Sequence, residues 1–500
     1  MNPVVAQVDP AGTAARHRRS SVRGALAGLA LAMLLSSLGT SIANVALPTL
    51  AQAFAASFQQ VQWIVLAYLL AITTAIAGAG RLGDVMGRRR LLLAGLALFT
   101  AASVLCGVAP TLWLMIAARA AQGLGAAVMM ALTLALAGDL VAKDKTGSVM
   151  GLLGTMSAVG TALGPSLGGV LIAGLGWRAI FLVNLPLGVL GLGLACRYLP
   201  ADRRSPGRDR PGFDATGTLL LALTLAAYAL AMTIGRGRFG PLNMVLLSAA
   251  AVGAGLFVRA ETRVASPLVR LAMVRDPVLG AGLATSALVS TVMMATLVVG
   301  PFHLSIALGL DAAAVGFAMS VGPVVAALAG VPAGRIVDRF GARRMTIAGL
   351  AGMAAGAAVL AAVPARLGVA GYVTPLAVLT VHYALFQTAN NTAVMTGIGP
   401  HDRGVASGML NLARNLGLVT GASLMGAVFA LASATSDITA ARPVAVASGT
   451  RVTFAVATAL IAGALAVAAA GRTRAARQAT ERPNLTRPRR VRSGFKGADG

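Results

Sequence analysis

The chain has 500 residues, of which 57% are hydrophobic and 11% charged, with a mean hydropathy of +0.81. A soluble protein carries roughly 25% charged residues, so this composition excludes a soluble globular protein and predicts many membrane-spanning segments. The net charge of +26 could indicate nucleic-acid binding. However, Lys and Arg concentrate in alternate loops and in both tails, as in membrane proteins. No basic face with interleaved aromatic residues exists, so nucleic acid is not an expected partner.

Fourteen apolar runs of about 20 residues are expected to cross the bilayer as helices. Only helices and closed barrels satisfy their backbone in lipid, and these runs lack the period-two alternation of barrel strands. The predicted spans are 24–47, 61–79, 91–109, 112–138, 148–174, 178–196, 215–234, 241–258, 278–301, 312–332, 345–363, 371–396, 404–432 and 452–470.

Loop charge orients these spans with both termini in the cytoplasm, and we expect the protein in the inner (plasma) membrane of the cell. Arg236 and Arg238 are the exception, because they fall in a loop expected outside. The adjoining pair, 215–234 and 241–258, could therefore be a re-entrant hairpin instead of two spans. Either way the protein is predicted to be multi-pass.

The domain organisation follows from the loops. We expect a cytoplasmic tail at 1–23, a six-helix bundle at 24–199, and a linker with two extra helices at 200–277. A second six-helix bundle follows at 278–470, and a basic, Pro-rich tail at 471–500 is expected to be disordered.

A polar segment at 80–90 recurs at 334–344, and a series of glycines recurs in the same order. Gly147, Gly151, Gly160 and Gly164 recur with the same intervals between them as Gly404, Gly408, Gly417 and Gly421. The repeat is direct. Transporters are built from such repeated membrane bundles, with the substrate site where the halves meet.

Six motifs carry a resemblance to a known family. They are 80–90 (with Gly80, Leu82, Asp84, Gly87, Arg88 and Arg89), 119–125, 160–169, 44–48, 63–68 and 177–188. The first three resemble the major facilitator superfamily, and the last three resemble its fourteen-helix drug:proton antiporter branch. The resemblance implies an all-α fold of two six-helix bundles plus two linking helices. It implies a secondary active exporter of small amphiphilic compounds, working by alternating access with protons as partners. The alternative is an exporter or facilitator of one anionic or neutral metabolite.

The resemblance gives the repeated segment a gating role. Gly80 and Gly87 are expected to allow a tight turn, and Asp84 can pair with Arg88 or Arg89 as a latch between conformations. In the second copy the corresponding residues are Gly334, Asp338, Gly341 and Arg343. The alternative is a loop that only sets orientation. Gly160, Gly164 and Pro165 predict a smooth, bendable helix face for rocking, with plain small-residue packing as the alternative.

Ionisable residues inside predicted spans are functional candidates, because burying them in the bilayer is costly. Arg119, His382 and Arg414 are of this kind. The neutral polar residues within spans are Gln122, Gln387, Asn390 and Asn391, and the motifs add Asn44, Trp63 and Tyr68. The alternatives are arginines that bond interhelical carbonyls and a neutral, buried imidazole at His382.

The resemblance implies an Asp in the first span, a few residues before Asn44, but this sequence has Gly39 there. No acidic residue lies in the middle of a predicted span. We therefore expect a positive or neutral cavity around Arg119, Arg414 and His382 that suits neutral or anionic amphiphiles. His382 is the expected proton carrier, since histidine changes charge near neutral pH.

Other chemistry is not expected. Cys106 and Cys196 lie at opposite ends of their helices, so no disulfide is predicted, and no metal-ligand spacing occurs. Four scattered histidines supply no nucleophile–base pair for an enzyme, and no phosphate-binding loop is present. We expect a monomer with no cofactor, whose partners are a small-molecule substrate and membrane lipid.

Overall fold

The computed structural model describes residues 10–141, 146–202, 214–234, 240–264, 271–363, 367–396, 398, 403–434, 438 and 441–481. Arg236 and Arg238, and the tail at 482–500, lie outside these residues. Fourteen helices in the described part are long and apolar enough to cross a membrane, which confirms the predicted all-α architecture.

The long helices are labelled α1 to α14. Their bounds are Pro10–Val45, Phe58–Met86, Arg88–Val108, Leu112–Leu140, Thr146–Leu175, Asn184–Tyr198, Ala215–Thr233, Pro241–Glu261, Pro277–Phe302, Ala312–Phe340, Ala342–Ala362, Gly368–Thr396, Arg403–Thr420 and Pro443–Glu481. A π-helical segment, His303–Ala307, continues α9, and a second one, Gly421–Met425, continues α13 into Gly426–Ala432. Short helices lie at Leu47–Ala53, Ala179–Leu182 and Leu271–Val274.

Several helices begin at acidic caps. Asp214, Asp276 and Asp311 accept hydrogen bonds from the backbone N–H of Gly217 (2.8 Å), Leu279 (2.9 Å) and Ala314 (2.7 Å), at the starts of α7, α9 and α10. A carboxylate in this position satisfies an unpaired amide and complements the helix dipole. These three aspartates therefore cap the N-termini of their helices.

The repeated polar segment corrects one prediction. Residues 80–86 belong to α2 and residues 334–340 to α10, because a helix need not end where the apolar run ends. Only Gly87 and Gly341 break the helices, with φ of +100° and +87°. Gly80 and Gly334 are helical, and a Cβ added to either would meet nothing within 4 Å. The tight turns thus belong to Gly87 and Gly341 alone.

Other helix ends also differ from the prediction. α1 begins at Pro10, inside the predicted tail, and α14 continues to Glu481, so the start of the predicted disordered tail is helical. α7 and α8 are continuous helices of 19 and 21 residues, long enough for two spans. This favours two spans over a re-entrant hairpin.

The second half of the chain repeats the packing of the first. α1 packs on α5 as α9 packs on α13, and α3 packs on α4 as α11 packs on α12. A Cβ at Gly160 would lie 2.5 Å from the Leu34 carbonyl oxygen, and Gly417 meets the Ala287 carbonyl in the same way. Ser41 donates to the Gly160 carbonyl (3.4 Å), and Thr291 donates to the Gly417 carbonyl (3.1 Å). Both contacts need a residue without a side chain.

The two halves touch at one end of the molecule. We call the end with Gly87 and Gly341 the turn end, and the opposite end the far end. At the far end, a Cβ on Gly169 of α5 would lie 2.9 Å from Cα of Gly316 in α10. Towards the turn end the same helices separate. A Cβ on Gly151 or Gly154 of α5, or on Gly330 of α10, would meet nothing within 4 Å. The molecule is closed at its far end and open at its turn end.

Aromatic packing reinforces the far-end closure. The Phe58 ring of α2 lies 4.8 Å from the Phe302 ring and 5.4 Å from the Phe429 ring, centroid to centroid, both edge-on. All three side chains are fully buried. Edge-to-face aromatic contacts of this kind contribute about 0.5–1.5 kcal/mol each beyond area burial.

The linking helix α7 bridges both halves on one side. Trp63 of α2 donates from Nε1 to Thr233 Oγ1 of α7 at 3.0 Å. Leu221 and Leu225 of α7 form a buried cluster with Leu412 of α13. α8 packs on α7, behind this contact.

Candidate functional site

A buried arginine forms the polar centre of the first bundle. Arg119 is 0% exposed. It donates from Nε to the Ile64 carbonyl of α2 (2.9 Å) and from Nη1 to the Gly39 carbonyl of α1 (3.1 Å). It also donates from Nη1 to Gln122 Oε1. The contacts with Ile64 and Gly39 are those of the interhelical-carbonyl alternative.

The ring of Tyr68 also contacts this arginine. The guanidinium carbon lies 4.1 Å from the centroid of the Tyr68 ring, a cation–π contact. The Tyr68 hydroxyl in turn donates to the Ser36 carbonyl of α1 (2.8 Å), and Gln122 donates to Ser103 of α3 (2.6 Å). Predicted site residues Arg119, Gln122 and Tyr68 are therefore one cluster, which also joins α1, α2, α3 and α4.

The charge of Arg119 is incompletely compensated. Its Nη2 is buried without a hydrogen-bond partner, and no carboxylate from the described residues is among its partners. A carboxylate at residue 39 would lie beside it, since a Cβ there would be 3.0 Å from the Tyr68 hydroxyl. Each carboxylate in the described part of the chain sits at or near a helix end. The centre is acid-poor, as the sequence predicted.

The other predicted arginine is in the second bundle and is exposed. Arg414 of α13 lies two residues after Leu412, which packs on α7. At about 100° per residue, Arg414 points roughly 200° away from that contact. Gly417 and Gly421, about one and two turns further on, pack against α9. Arg414 thus lies on a face turned away from the linking helices.

Helix α12 carries the remaining polar candidates. His382 is half-buried, its ring packs over Gly352 of α11, and Nδ1 lies 2.8 Å from the Val378 carbonyl. That bond leaves Nε2 as the nitrogen able to take up a proton. Asn390 is buried and donates to the Gly282 carbonyl of α9 (3.1 Å), while Gln387 is half-buried and Asn391 is exposed.

Two motif residues do not face this centre. Trp63 holds α7 through Thr233, so its indole N–H anchors a linking helix instead of a ligand. Asn44 is 1% exposed and donates to the Thr40 (3.0 Å) and Ser41 (3.3 Å) carbonyls of its own helix. These contacts are structural, and the assignment of Trp63 and Asn44 to a substrate site stays a prediction.

The first copy of the turn is an ion-pair network. Arg88 pairs with Asp84 of α2 (2.8 Å) and Asp139 at the end of α4 (2.7 Å). All three side chains are at least one-third exposed, so each pair contributes at most about 1 kcal/mol. In the second copy Ala342 replaces Arg88, and Asp338 and Arg343 are both exposed. The network therefore belongs to the first copy.

Asp202 makes a contact with the turn that the sequence did not reveal. Its carboxylate accepts from the backbone N–H of Arg89 (2.8 Å) and Arg90 (3.1 Å), which caps α3. Arg89 also donates from Nη2 to the Cys196 carbonyl (2.6 Å), at the end of α6. The turn is thus tied to the last helix of its own bundle. Separation in sequence hid this contact, although a lone Asp just after a span was the available signal.

The glycine face of α5 packs on α1. Besides Gly160, Gly164 faces Ser41, and Gly168 faces Ile42 and Val45. Pro165 lies inside α5 without ending it, and its carbonyl would be 2.5 Å from a Cβ at Gly316. The predicted smooth face therefore meets α1 along its length and α10 at the far end. No cluster of three metal-binding side chains occurs among the described residues.

Comparison with known proteins identifies the class. The profile described as Major Facilitator Superfamily matches residues 29–422, so the chain belongs to that superfamily and is a multi-pass membrane transporter of small molecules, not an enzyme.

Individual relatives and solved structures are also transporters. The chain is 34% identical over 415 residues to "Multidrug resistance protein Stp" of Mycobacterium tuberculosis, covering 81% of this chain and 74% of that protein. It is 27% identical to "Riboflavin transporter RibZ" of Clostridioides difficile, covering 80% and 87%. Its fold is similar to an inward-facing bacterial homologue of the lysosomal transporter Spinster, with a TM-score of 0.63, 16% identity, and coverage of 90% and 96%.

Proposed function

We propose that the protein is a secondary active exporter of small amphiphilic compounds that works by alternating access. The turn end faces the cytoplasm, because the basic loops lie there, and both termini are cytoplasmic in the inner (plasma) membrane. The relative Stp, a multidrug resistance protein, supports an efflux role.

The single observation that carries this proposal is the one-ended contact between the bundles. α5 and α10 meet at Gly169 and Gly316 and separate towards Gly154 and Gly330. A carrier in one of its two end states has this geometry. Rocking the bundles would open the Phe58 contacts and close the turn end.

The turn supplies the gating elements of this proposal. In the open turn end, Asp84 pairs within its own bundle through Arg88. On closure it would exchange this partner for groups of the second bundle, which stabilises the outward-facing state. The glycine face formed by Gly160 and Gly164 provides the surface on which α5 moves.

The substrate class follows from the charges. Arg119, Arg414 and His382 can be positive, and described carboxylates lie at helix ends. We infer that neutral or anionic amphiphiles are preferred over quaternary ammonium compounds. His382 carries the coupled proton on Nε2, since Nδ1 is bonded to Val378.

The second candidate is a specific exporter of one anionic or neutral metabolite, without carboxylate-based coupling. Gly39 favours it, because the residue that the resemblance makes acidic is absent. The relative RibZ, named a riboflavin transporter, supports this candidate.

Transport by the purified chain in proteoliposomes tests both. Uptake of a fluorescent anionic amphiphile is measured with and without an imposed pH gradient, and then with unrelated competitors. We expect acceleration by the gradient and competition by many compounds. Saturation by a single solute would select the second candidate, and a rate indifferent to the gradient would remove proton coupling.

A further inference from the structure

A group of polar side chains lies on one turn of α13. Asn411, Arg414 and Asn415 stand at positions i, i+3 and i+4, so the Cβ of Asn411 lies about 5–6 Å from the Cβ of each of the others. We call these residues the α13 triad. Arg414 is exposed, although it lies within the span Val405–Ala432 and about 14 Å from the Val405 end. An arginine at this depth faces water in a cavity, because contact with lipid is costly.

The asparagines of the triad lie on the face of α13 that is turned to α2. Ala422, whose carbonyl accepts from Gln62 of α2, marks this face at the far end. Asn415 and Asn411 precede Ala422 by about two and three helical turns, so they lie on the same face nearer the turn end. Asn411 is exposed and Asn415 is half-buried. Towards the turn end, therefore, α2 does not cover this face.

Arg414 lies between two occupied faces of α13. Gly417 and Gly421 face α9. Around the helix, Arg414 is about 60° from Gly417 and about 80° from Ala422. Leu412, which packs on α7, is about 80° beyond Ala422 in the opposite direction. Since α7 covers the outer side of the seam between α2 and α13, the guanidinium lies on the inner side, in the space between the bundles.

The triad carries hydrogen-bond donors that the described part of the protein leaves free. Asn411 donates to the Ser407 carbonyl of its own helix (3.1 Å), which uses one of its two amide hydrogens. Among the described residues, Arg414 and Asn415 have no hydrogen-bond or ion-pair partner. A positive charge within a membrane span usually has a partner. The guanidinium therefore lacks a counter-charge that the protein itself does not supply.

We propose that the α13 triad binds the carboxylate of an anionic amphiphile. The inference rests on the exporter function proposed above, and it assigns anion recognition to α13 instead of Arg119, which is 0% exposed. A guanidinium presents a planar fork that matches the two oxygens of a carboxylate. The asparagine amides on either side can donate to the same oxygens. Leu418, half-buried and one turn further on, is placed to contact the apolar part of the substrate.

Uptake of dansyl-aminoundecanoate and of its primary amide into proteoliposomes tests this inference, because the two compounds differ only in the carboxylate. We expect the wild-type chain to have a lower KM for the acid than for the amide. In Arg414→Gln this preference should fall by at least about tenfold, since hydrogen bonds to a charged group are strong. Arg414→Lys should keep part of it, because the charge remains without the planar fork. Asn411→Ala and Asn415→Ala should each reduce it by a smaller factor.

Arg442→Gln is the control for a lost positive charge. Arg442 is exposed in the segment before α14, so its variant should keep the wild-type preference. Arg414 is exposed as well, and Arg414→Gln is therefore expected to fold. An unchanged preference in Arg414→Gln, with both compounds still transported, would overturn this inference and leave the exporter function standing. Transport of neither compound by the wild-type chain would contradict the exporter function itself. A preference that neither asparagine variant alters would contradict the triad.

Discussion

The side-chain amide of Gln62 donates to the Ala422 carbonyl at 3.0 Å, joining α2 of the first bundle to α13 of the second. Ala422 lies in the π-helical segment Gly421–Met425. The amide occupies the space that any side chain at Gly426 would need. This bond and the Phe58 contacts hold the far end closed.

Gln62→Leu is expected to favour the conformation that is open at the far end. Loss of one hydrogen bond of about 1 kcal/mol changes the ratio of conformations by roughly fivefold. The measurement is thiol labelling of a single cysteine that replaces Ser320, a buried residue one turn after Gly316 on α10, in a variant lacking Cys106 and Cys196. Gln59→Leu is the control, since Gln59 is buried on the same helix and the described residues show no bond from it to α13. Equal labelling of both variants would contradict the assignment.

Gly39→Asp is expected to change the charge selectivity of transport. The new carboxylate lies beside Arg119 and the Tyr68 hydroxyl, neutralises the centre and supplies a titratable acid. Transport of cationic amphiphiles should rise and become more dependent on a pH gradient. Gly39→Asn controls for the crowding against Tyr68 and Phe99. If Asp and Asn variants transport alike, charge at residue 39 does not set selectivity.

Gly160→Ala is expected to destabilise the protein and slow transport. The added methyl would meet the Leu34 carbonyl at 2.5 Å, and overpacking of this kind costs about 1–3 kcal/mol. Gly154→Ala is a matched control on the same helix, because its methyl meets nothing within 4 Å. Thermal unfolding and transport rate are compared. A Gly154 variant as damaged as the Gly160 variant would mean that the contact with α1 is not the cause, since alanine by itself favours a helix over glycine.

Trp63→Phe is expected to loosen α7 without altering which compounds compete for transport. The indole N–H bond to Thr233 is lost, so Thr233→Val should give the same drop in melting temperature. The double variant should be no worse than either single one, as expected of residues that share one bond. A changed competitor profile in Trp63→Phe would return this residue to the substrate site.

Asp202→Ala is expected to lower stability by about 1 kcal/mol, the usual value of a helix N-cap. Asp84→Asn, which leaves that cap intact, should slow transport with a smaller change in melting temperature. Measuring both quantities in both variants separates the cap from the gating pair. If Asp202→Ala slowed transport and Asp84→Asn mainly lowered the melting temperature, Asp202 would have the gating role and Asp84 the structural one.

The number of spans and the repeat could be predicted from the sequence, because hydropathy and glycine spacing are local properties. The sequence identified Gly87 and Gly341 as turn residues, but it could not show that Gly80 and Gly334 are helical instead. Charges at 81 and 84 end the apolar run without ending the helix, so hydropathy places the boundary too early.

The candidate site was less accessible to sequence reasoning. Arg119 stands out because it is charged within a span. Its partners include the backbone carbonyls of Ile64 and Gly39, which cannot be predicted from residue type because every residue has such a carbonyl. The π-helical segments His303–Ala307 and Gly421–Met425 follow from packing and leave no mark on hydropathy.

The position of α7 makes the two seams between the bundles unequal. It covers the seam of α2 with α13, whereas in the described structure no linking helix packs on α5 or α10. Leu163 of α5 and Leu328 of α10 are exposed apolar side chains. The seam between α5 and α10, which separates towards the turn end, is therefore uncovered at its side, whereas α7 covers the seam between α2 and α13.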